Sequence, residues 1–338
     1  MSHVFNMEHS FWYKSEPKRD EGKLKMKKMN VAVIGCGSWG RNHIRVYNDL
    51  ENTSLTAIAD MNTATAKEFG ERYSVDWYTE PEKIYEREDV EAVSICTPTV
   101  THADLAMKAI EAGKHVLVEK PMTNTTDEAR EIIKAAERHG VYLTVGFVER
   151  FNPAISEALN IITSGEIGEV ILAHTRRVSR RPLRIGDVGV IKDLAIHDID
   201  IVNQLFKNKA MNVFASAGSI AHDFEDYANI IVCFDNDRSA FIETNWLTPR
   251  KVRTLTITGT EGMITVEYIT QQIIVENNER LYQPYLNYDE PLLRELYSFT
   301  SSILNDEPPE VTGEDGLRAL EISEAAIQSA MSGKQVSL

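Results

Sequence analysis

The sequence predicts two domains: an α/β domain with a parallel, doubly wound sheet, then an α+β domain with a mainly antiparallel sheet. Over about the first 150 residues, short apolar runs alternate with helical stretches, as in βαβ units. Beyond about Glu149, longer strand-like runs follow one another across turns such as Asp235–Asp237. The length of 338 residues is enough for two hydrophobic cores.

The predicted domains cover residues 29–148 and 149–338, and the second ends in closing C-terminal helices. We expect residues 1–28 to be a mobile extension, because Met29 resembles a natural start. The first 30 residues hold seven Lys or Arg and four Asp or Glu, and they lack the apolar run of a secretory signal. Their acidic residues also argue against a mitochondrial address.

Composition excludes several classes of protein. The chain has 36 Lys and Arg against 51 Asp and Glu, a net charge of −15, and without its first 30 residues it keeps 29 basic and 47 acidic residues. Neither nucleic acid nor an anionic membrane is therefore an expected partner. Cys36, Cys96 and Cys233 are far apart, so we expect no disulfide framework, no metal site and a cytoplasmic location.

A glycine pattern after the first strand predicts a dinucleotide site. The run Asn30–Ile34 leads into Gly35-Cys-Gly37-Ser-Trp-Gly40 and a helix, and Asp60 ends the next strand. In such a Rossmann turn the glycines permit the tight bend, the approach of a pyrophosphate and close helix packing. The expected cofactor-binding residues are Gly35, Gly37, Ser38, Trp39, Gly40 and Asp60. The alternative is a glycine-rich turn with an unrelated surface aspartate.

Asp60 also indicates which dinucleotide binds. A carboxylate at this position accepts hydrogen bonds from the ribose hydroxyls of NAD and repels the 2′-phosphate of NADP. The next residues, Met61 and Asn62, offer no cation to hold that phosphate. The sequence therefore predicts NAD.

Polar residues follow two further strands, where α/β sheets bind ligands. Thr97-Pro98 leads to His102, and Glu119-Lys120-Pro121 follows the next strand. A lysine beside the nicotinamide position can act as a base or polarise a substrate hydroxyl. Lys120 could instead be an ordinary exposed lysine at a strand end.

A second candidate base lies on a predicted helix of about residues 192–206. Asp193 and His197 are four residues apart, so an α-helix places them on one face, where the carboxylate would orient the imidazole. A metal pair is an alternative, although no third ligand has suitable spacing. A solvated polar helix face is another.

Taken together, these motifs resemble, in order and spacing, the glucose–fructose oxidoreductase / inositol dehydrogenase / MocA (Gfo/Idh/MocA) family, over residues 29–335. The resemblance implies that Lys120, Asp193 and His197 form the catalytic set. It also implies that Thr97, Pro98, His102 and Glu119 line the nicotinamide side.

Arginines suggest the class of substrate. Residues 176–184 hold five arginines, and Arg250-Lys-Val-Arg253 forms a second basic group. Because arginine suits bidentate phosphate recognition, we expect a diphosphate-linked sugar. The alternative is a solvated or subunit-interface patch. The expected substrate-binding residues are Arg150, Asn152, Arg177, Arg180, Arg184 and Arg250.

Within the family, the stretches around Ser38, Arg150 and Trp246 are most similar to UDP-N-acetylglucosamine 3-dehydrogenases. That resemblance implies NAD-dependent oxidation of the C3 hydroxyl of a UDP-linked sugar, with either His197 or Lys120 as the base. Two alternatives stay open: a dehydrogenase of a free polyol or sugar, and a non-enzymatic NAD-binding regulator. We also expect a homo-oligomer, a dimer or tetramer, because broad antiparallel sheet faces commonly pair.

Overall fold

The computed structural model describes residues 27–181, 187–207 and 209–338. Most of the expected N-terminal extension, and Arg184, lie outside these ranges. The strands of the first sheet are β1 (Met29–Ile34), β2 (Thr53–Ala59), β3 (Asp76–Tyr78), β4 (Ala92–Ile95), β5 (His115–Glu119) and β6 (Leu143–Gly146). The helices that accompany them are α1 (Gly40–Asp49), α2 (Thr63–Tyr73), α3 (Glu82–Tyr85), α4 (His102–Glu111) and α5 (Thr126–His139).

The first sheet is parallel throughout, in the order β3-β2-β1-β4-β5-β6. Helices cover both faces, so β4 and most of β1 and β5 are buried. The order reverses between β1 and β4, and ligands bind at the carboxyl ends of the strands beside such a switch point. The predicted fold class of the first domain is confirmed, although the sequence patterns did not indicate α2, α3 or β3.

The second domain is built on a larger sheet. Its strands are β7 (Val170–Arg180), β8 (Ala210–Gly218), β9 (Tyr227–Phe234), β10 (Ser239–Asn245), β11 (Leu247–Gly259), β12 (Gly262–Glu267), β13 (Gln272–Asn277), β14 (Leu281–Tyr282) and β15 (Val336–Ser337). The remaining helices are α6 (Pro153–Thr163), α7 (Ile196–Phe206), α8 (Pro291–Asn305) and α9 (Gly313–Ser332). Within the described ranges, no helix is long and apolar enough to cross a membrane.

The nine strands run in the order β14-β13-β12-β11-β7-β10-β9-β8-β15. Neighbours pair antiparallel except β7 and β10, which are parallel. Helices α6, α7 and α9 pack on one face of this sheet. The mainly antiparallel α+β architecture predicted for this part is confirmed.

Helix α8 connects the end of the chain to the first domain. Its buried residues Leu292, Leu296 and Phe299 share a hydrophobic cluster with Val33 of β1 and Ile44 of α1. The C-terminal part of the chain therefore completes the core beneath the dinucleotide turn.

A buried ion-pair network lies where β7 meets α7 and the turn Val148–Phe151. The Arg177 side chain, 1% exposed, donates from Nε and Nη2 to the two carboxylate oxygens of Asp198 at 2.9 and 3.0 Å. Its Nη1 donates to Oε1 of Glu149 at 2.8 Å, and the guanidinium lies over the Tyr268 ring. Removing one partner of such a network leaves a buried charge uncompensated.

We expect Arg177→Met to lower the free energy of unfolding by about 3–5 kcal/mol, because Asp198 would lose its bidentate partner. The neighbouring Arg176→Met is the matched control, since Arg176 pairs with Glu243 at an exposed site with side chains 42% and 28% accessible. Its loss should not exceed about 1 kcal/mol. Urea titration of both variants measures the difference, and equal losses would contradict the assignment.

Candidate active site

The turn between β1 and α1 has the geometry of a phosphate cradle. Gly35 has a φ of +91°, and a Cβ there would lie 2.8 Å from the carbonyl oxygen of Cys96. A Cβ on Gly40 would lie 1.8 Å from the carbonyl oxygen of Gly35. Gly37, in contrast, faces open space with no atom within 4 Å of its Cβ position. The turn is therefore closed on the protein side and open where a pyrophosphate would approach, so it fits a dinucleotide.

Asp60 is held at the mouth of this turn. Its Oδ2 accepts a hydrogen bond from the Cys36 amide at 2.8 Å, and its Oδ1 accepts one from the Asn62 amide at 2.8 Å. Burial, together with the Asp60 charge, raises the pKa of the Cys36 thiol to about 12, so this cysteine stays protonated. The adjacent Met61 is 92% exposed and brings no cation. This arrangement suits the ribose hydroxyls of NAD rather than a 2′-phosphate.

Trp39, predicted to touch the cofactor, also holds Glu119. Its Nε1 donates to Oε1 of Glu119, and Nε2 of the buried His43 lies 3.0 Å from the same oxygen. A side chain at Gly146 would come within 2.7 Å of that oxygen, so glycine leaves room for the carboxylate. The dinucleotide turn is thereby joined to the end of β5, one residue before Lys120.

His102 connects the two loops that follow β4 and β5. Its Nδ1 lies 2.8 Å from the carbonyl oxygen of Pro121, and its Nε2 lies 2.9 Å from that of Thr97. Burial lowers the pKa of His102, so the ring is neutral and carries one N–H. That N–H donates to one of the two carbonyl oxygens, and the other ring nitrogen lies near the second carbonyl without donating to it. Pro98 and Thr97 belong to the same loop and accept hydrogen bonds from Thr101. We therefore describe His102 as a residue that positions this loop.

Lys120 and Asp193 meet across the two domains. Nζ of Lys120 donates to the backbone carbonyl of Asp193 at 2.6 Å and to its Oδ1 at 2.9 Å. Both side chains are largely buried, 14% and 6% exposed. The prediction had placed both residues in one site, and the structure brings them into direct contact.

His197 lies beside this pair in an environment that opposes its charge. Burial lowers its pKa well below the ordinary value, and the charges of Lys120, Arg177 and Arg253 lower it further. The Phe147 ring meets the imidazole edge to face with centroids 6.5 Å apart. The histidine is therefore neutral at neutral pH, and the same environment makes it a weaker base than an exposed imidazole.

The expectation that Asp193 orients the imidazole of His197 is corrected. Oδ2 of Asp193 and Nδ1 of His197 are both buried, and neither has a hydrogen-bond partner among the residues that the structure describes. Ile191–Ala195 is a π-helical turn before α7, and both Oδ1 and the carbonyl oxygen of Asp193 accept hydrogen bonds from Nζ of Lys120. Asp193 therefore holds Lys120 rather than the imidazole.

Glu225 fixes the start of this helix, a role that sequence reasoning missed. Its Oε1 accepts a hydrogen bond from the Ile191 amide at 3.1 Å, and its carbonyl accepts one from Val190 at 3.0 Å. A Cβ on Gly189 would lie about 2 Å from the Glu225 carboxyl atoms. Gly189 was the available signal, since a glycine before a polar helix suggests a close approach.

The structure also corrects three predicted substrate-binding residues. Nε, Nη1 and Nη2 of Arg177 all donate hydrogen bonds to the carboxylates of Asp198 and Glu149. The Arg150 side chain, 6% exposed, is paired with Asp200 and Asp315. Asn152 caps α6 through the Ala154 amide and donates to the carbonyl of Tyr268. The donors of Arg177, Nε and Nη2 of Arg150 and the amide group of Asn152 are thus bonded inside the protein, which gives these residues a role in the fold.

The other predicted arginines have different outcomes. Arg180 ends β7 and Arg250 lies in β11, and both are exposed. Arg184 lies outside the described residues. Arg253, also in β11, was missed as a site residue, yet its charge acts on His197. Only the pairing of β11 with β7, which sequence cannot supply, places it there.

Two family models match this chain. Residues 29–147 match the oxidoreductase family NAD-binding Rossmann fold model, and residues 155–265 match the GFO/IDH/MocA C-terminal domain. The chain belongs to the Gfo/Idh/MocA oxidoreductase family. It is therefore an NAD-dependent oxidoreductase of sugars or polyols, and the predicted family and cofactor are confirmed.

The relatives within this family differ in substrate. Myo-inositol 2-dehydrogenase of Thermotoga maritima is 27% identical over 92% of this chain and 98% of that protein. UDP-N-acetylglucosamine 3-dehydrogenase of Acidithiobacillus ferrooxidans is 28% identical over 72% of this chain and 76% of that protein. A solved structure of the latter enzyme covers 91% of this chain and 99% of its own, with a TM-score of 0.85 and 26% identity.

Gly37→Ala and Gly40→Ala should separate cofactor binding from stability. A methyl group on Gly37 meets no protein atom, so stability should stay equal or rise by up to about 1 kcal/mol, while the NAD dissociation constant rises at least about tenfold. Gly40→Ala forces a contact with the Gly35 carbonyl and should cost about 1–3 kcal/mol of stability. Thermal unfolding and NAD titration measure both effects, and weaker NAD binding in Gly40→Ala alone would contradict this division.

The neutral state of His197 is testable by NMR titration. Its ring signals, assigned by comparison with His197→Asn, should titrate below the ordinary midpoint of about 6.5. Lys120→Met removes a nearby cation and leaves Asp193 unpaired, so both changes should move the midpoint upward. An unchanged midpoint in Lys120→Met would show that burial alone sets it.

Proposed function

We propose that this protein oxidises the C3 hydroxyl of UDP-N-acetylglucosamine to the 3-keto sugar with NAD⁺. The observation that carries the reaction type is the group formed by Lys120, Asp193 and neutral His197 at the carboxyl end of β5. The UDP-linked sugar is favoured by the basic residues of β11 and by similarity to a UDP-N-acetylglucosamine 3-dehydrogenase. Exposed Arg180 and Arg250 are proposed to contact its phosphates.

Each residue of the group has a role in the removal of two hydrogens. NAD⁺, when bound, supplies the hydride acceptor for the sugar C3. His197 accepts the hydroxyl proton, which a neutral imidazole can do and an imidazolium cannot. The Lys120 ammonium stabilises the negative charge that develops on the oxygen, and Asp193 keeps the lysine in place through two hydrogen bonds. The reverse assignment, with Lys120 as the base, is disfavoured by its pairing with Asp193.

A second candidate function is NAD-dependent oxidation of a free cyclic polyol such as inositol. It is favoured by one observation, the match of an inositol dehydrogenase to 92% of this chain. The same three residues would perform the same chemistry, because only the groups around the substrate differ.

We further propose that the chain forms a homo-oligomer through the open face of the nine-stranded sheet. Phe214, Ile231 and Phe241 are exposed there and lie side by side on β8, β9 and β10. A contiguous apolar stripe of this kind is typical of a surface that a partner covers. Light scattering of the purified chain tests the proposal.

Incubation with NAD⁺ and UDP-N-acetylglucosamine should produce the 3-keto sugar, detected by mass spectrometry because NAD⁺ oxidation of a secondary alcohol is uphill. His197→Asn and Lys120→Met should each lower the rate by about 10²–10⁴-fold, the usual contribution of a proton-transfer residue. Turnover of myo-inositol without turnover of UDP-N-acetylglucosamine would replace the first candidate with the second. Full activity of both variants would contradict the catalytic assignment and favour a different role for the NAD site.

A further inference from the structure

Arg253 differs from the other buried arginines in the number of its bonded donors. Arg177 donates through Nε, Nη1 and Nη2, all to carboxylates. Arg253 donates through Nη1 to Oε1 of Glu149 at 2.8 Å, and no other hydrogen bond of its guanidinium is formed among the described residues. Its side chain is 27% exposed, against 1% for Arg177. Arg253 therefore presents unpaired N–H groups at an accessible surface.

The location of Arg253 connects it to the candidate active site. It pairs with Arg177 across β11 and β7, so both side chains project from the helix-covered face of the sheet. Burial and the Arg177 charge lower the pKa of Arg253, while Asp193 acts in the opposite direction. The same guanidinium acts on His197. Arg253 and Arg177 share Oε1 of Glu149, and Arg177 is bonded to Asp198, the residue that follows His197.

The charges around this position do not balance. Glu149, Asp198 and Asp193 supply three negative charges, and Arg177, Arg253, Lys251 and Lys120 supply four positive ones. Lys251 follows the same pattern as Arg253, because burial and the Arg253 charge lower its pKa. The group therefore has one excess positive charge, and the side chain of Arg253 remains 27% exposed. A bound anion would complete it, since charge-assisted hydrogen bonds to arginine are strong and directional.

We infer that Arg253, in addition to the contacts proposed for Arg180 and Arg250, binds an anionic group of the substrate, a phosphate or a carboxylate, and thereby positions the sugar against His197. This inference rests on the proposed function for its substrate. Glu149 holds one edge of the guanidinium, so the opposite edge keeps a fixed direction for the anion. A glutamine at this position keeps the polarity but loses the charge and the fork of donors.

The test uses Arg253→Gln and Arg253→Lys in the full-length chain, with UDP and D-glucuronate as phosphate and carboxylate probes. Binding to the NAD⁺-loaded protein is measured by calorimetry, and KM and kcat for UDP-N-acetylglucosamine are measured in parallel. We expect Arg253→Gln to weaken UDP binding and raise KM by about 10–100-fold, the loss of one or two charged hydrogen bonds, with kcat within about threefold. Arg253→Lys should fall between it and the wild type.

Arg238→Gln is the matched control. Arg238 lies at the other end of the second domain's sheet, has a side chain 20% exposed and is paired with Glu169, so its replacement should leave UDP binding unchanged. If glucuronate binding depends on Arg253 and UDP does not bind, the anion is a carboxylate, and the proposed UDP-sugar function fails while the Arg253 inference stands. If Arg253→Gln binds both probes as the wild type does, the inference is overturned. Equal weakening in Arg238→Gln would also overturn it.

Discussion

The contact between Lys120 and Asp193 is the interaction on which the site depends. Lys120 extends from the nucleotide-binding sheet, and Asp193 begins the helical segment of the second domain, so their bond fixes one domain against the other at the reacting position. Behind Lys120, Glu119 is held by Trp39 and His43 from the dinucleotide turn. A continuous set of hydrogen bonds therefore runs from the cofactor turn to the start of α7.

The electrostatic environment gives His197 and Lys120 different roles in the candidate active site. Burial disfavours charge on His197, and the surrounding cations add to that effect, so the imidazole stays neutral beside a paired lysine. Arg177 and Arg253 can stay charged at this position because the carboxylates of Glu149 and Asp198 pair with them. The buried network that stabilises the second domain thus adds to the effect of burial on the pKa of the candidate base. Stability and reactivity are coupled at Arg177 without that residue needing to touch the substrate.

Features of the site that depend on residues close together in the sequence could be predicted from the sequence. The dinucleotide turn and the NAD preference follow from Gly35, Gly37, Gly40 and Asp60, which act within about 25 residues of one another. The roles of Arg177 and Arg253 were assigned poorly because their partners depend on the pairing of β7 with β11, about 75 residues apart. The predicted Asp193–His197 contact is absent for a similar reason, since the Asp193 carboxylate is bonded to Lys120, which is 73 residues away in the sequence. Helix α2 was missed although its buried residues Ala66, Phe69 and Gly70 have the i, i+3, i+4 spacing of a helix face, because two of the three are small and add little hydrophobic signal.

The contact between Gly189 and Glu225 limits how this site can evolve. The carboxyl group occupies the volume that any side chain at position 189 would need, and it also receives the Ile191 amide at the start of the π turn. A larger residue at 189 would displace the Glu225 carboxyl group and so break its hydrogen bond to the Ile191 amide. The two positions, 36 residues apart, are therefore coupled through the start of the π turn.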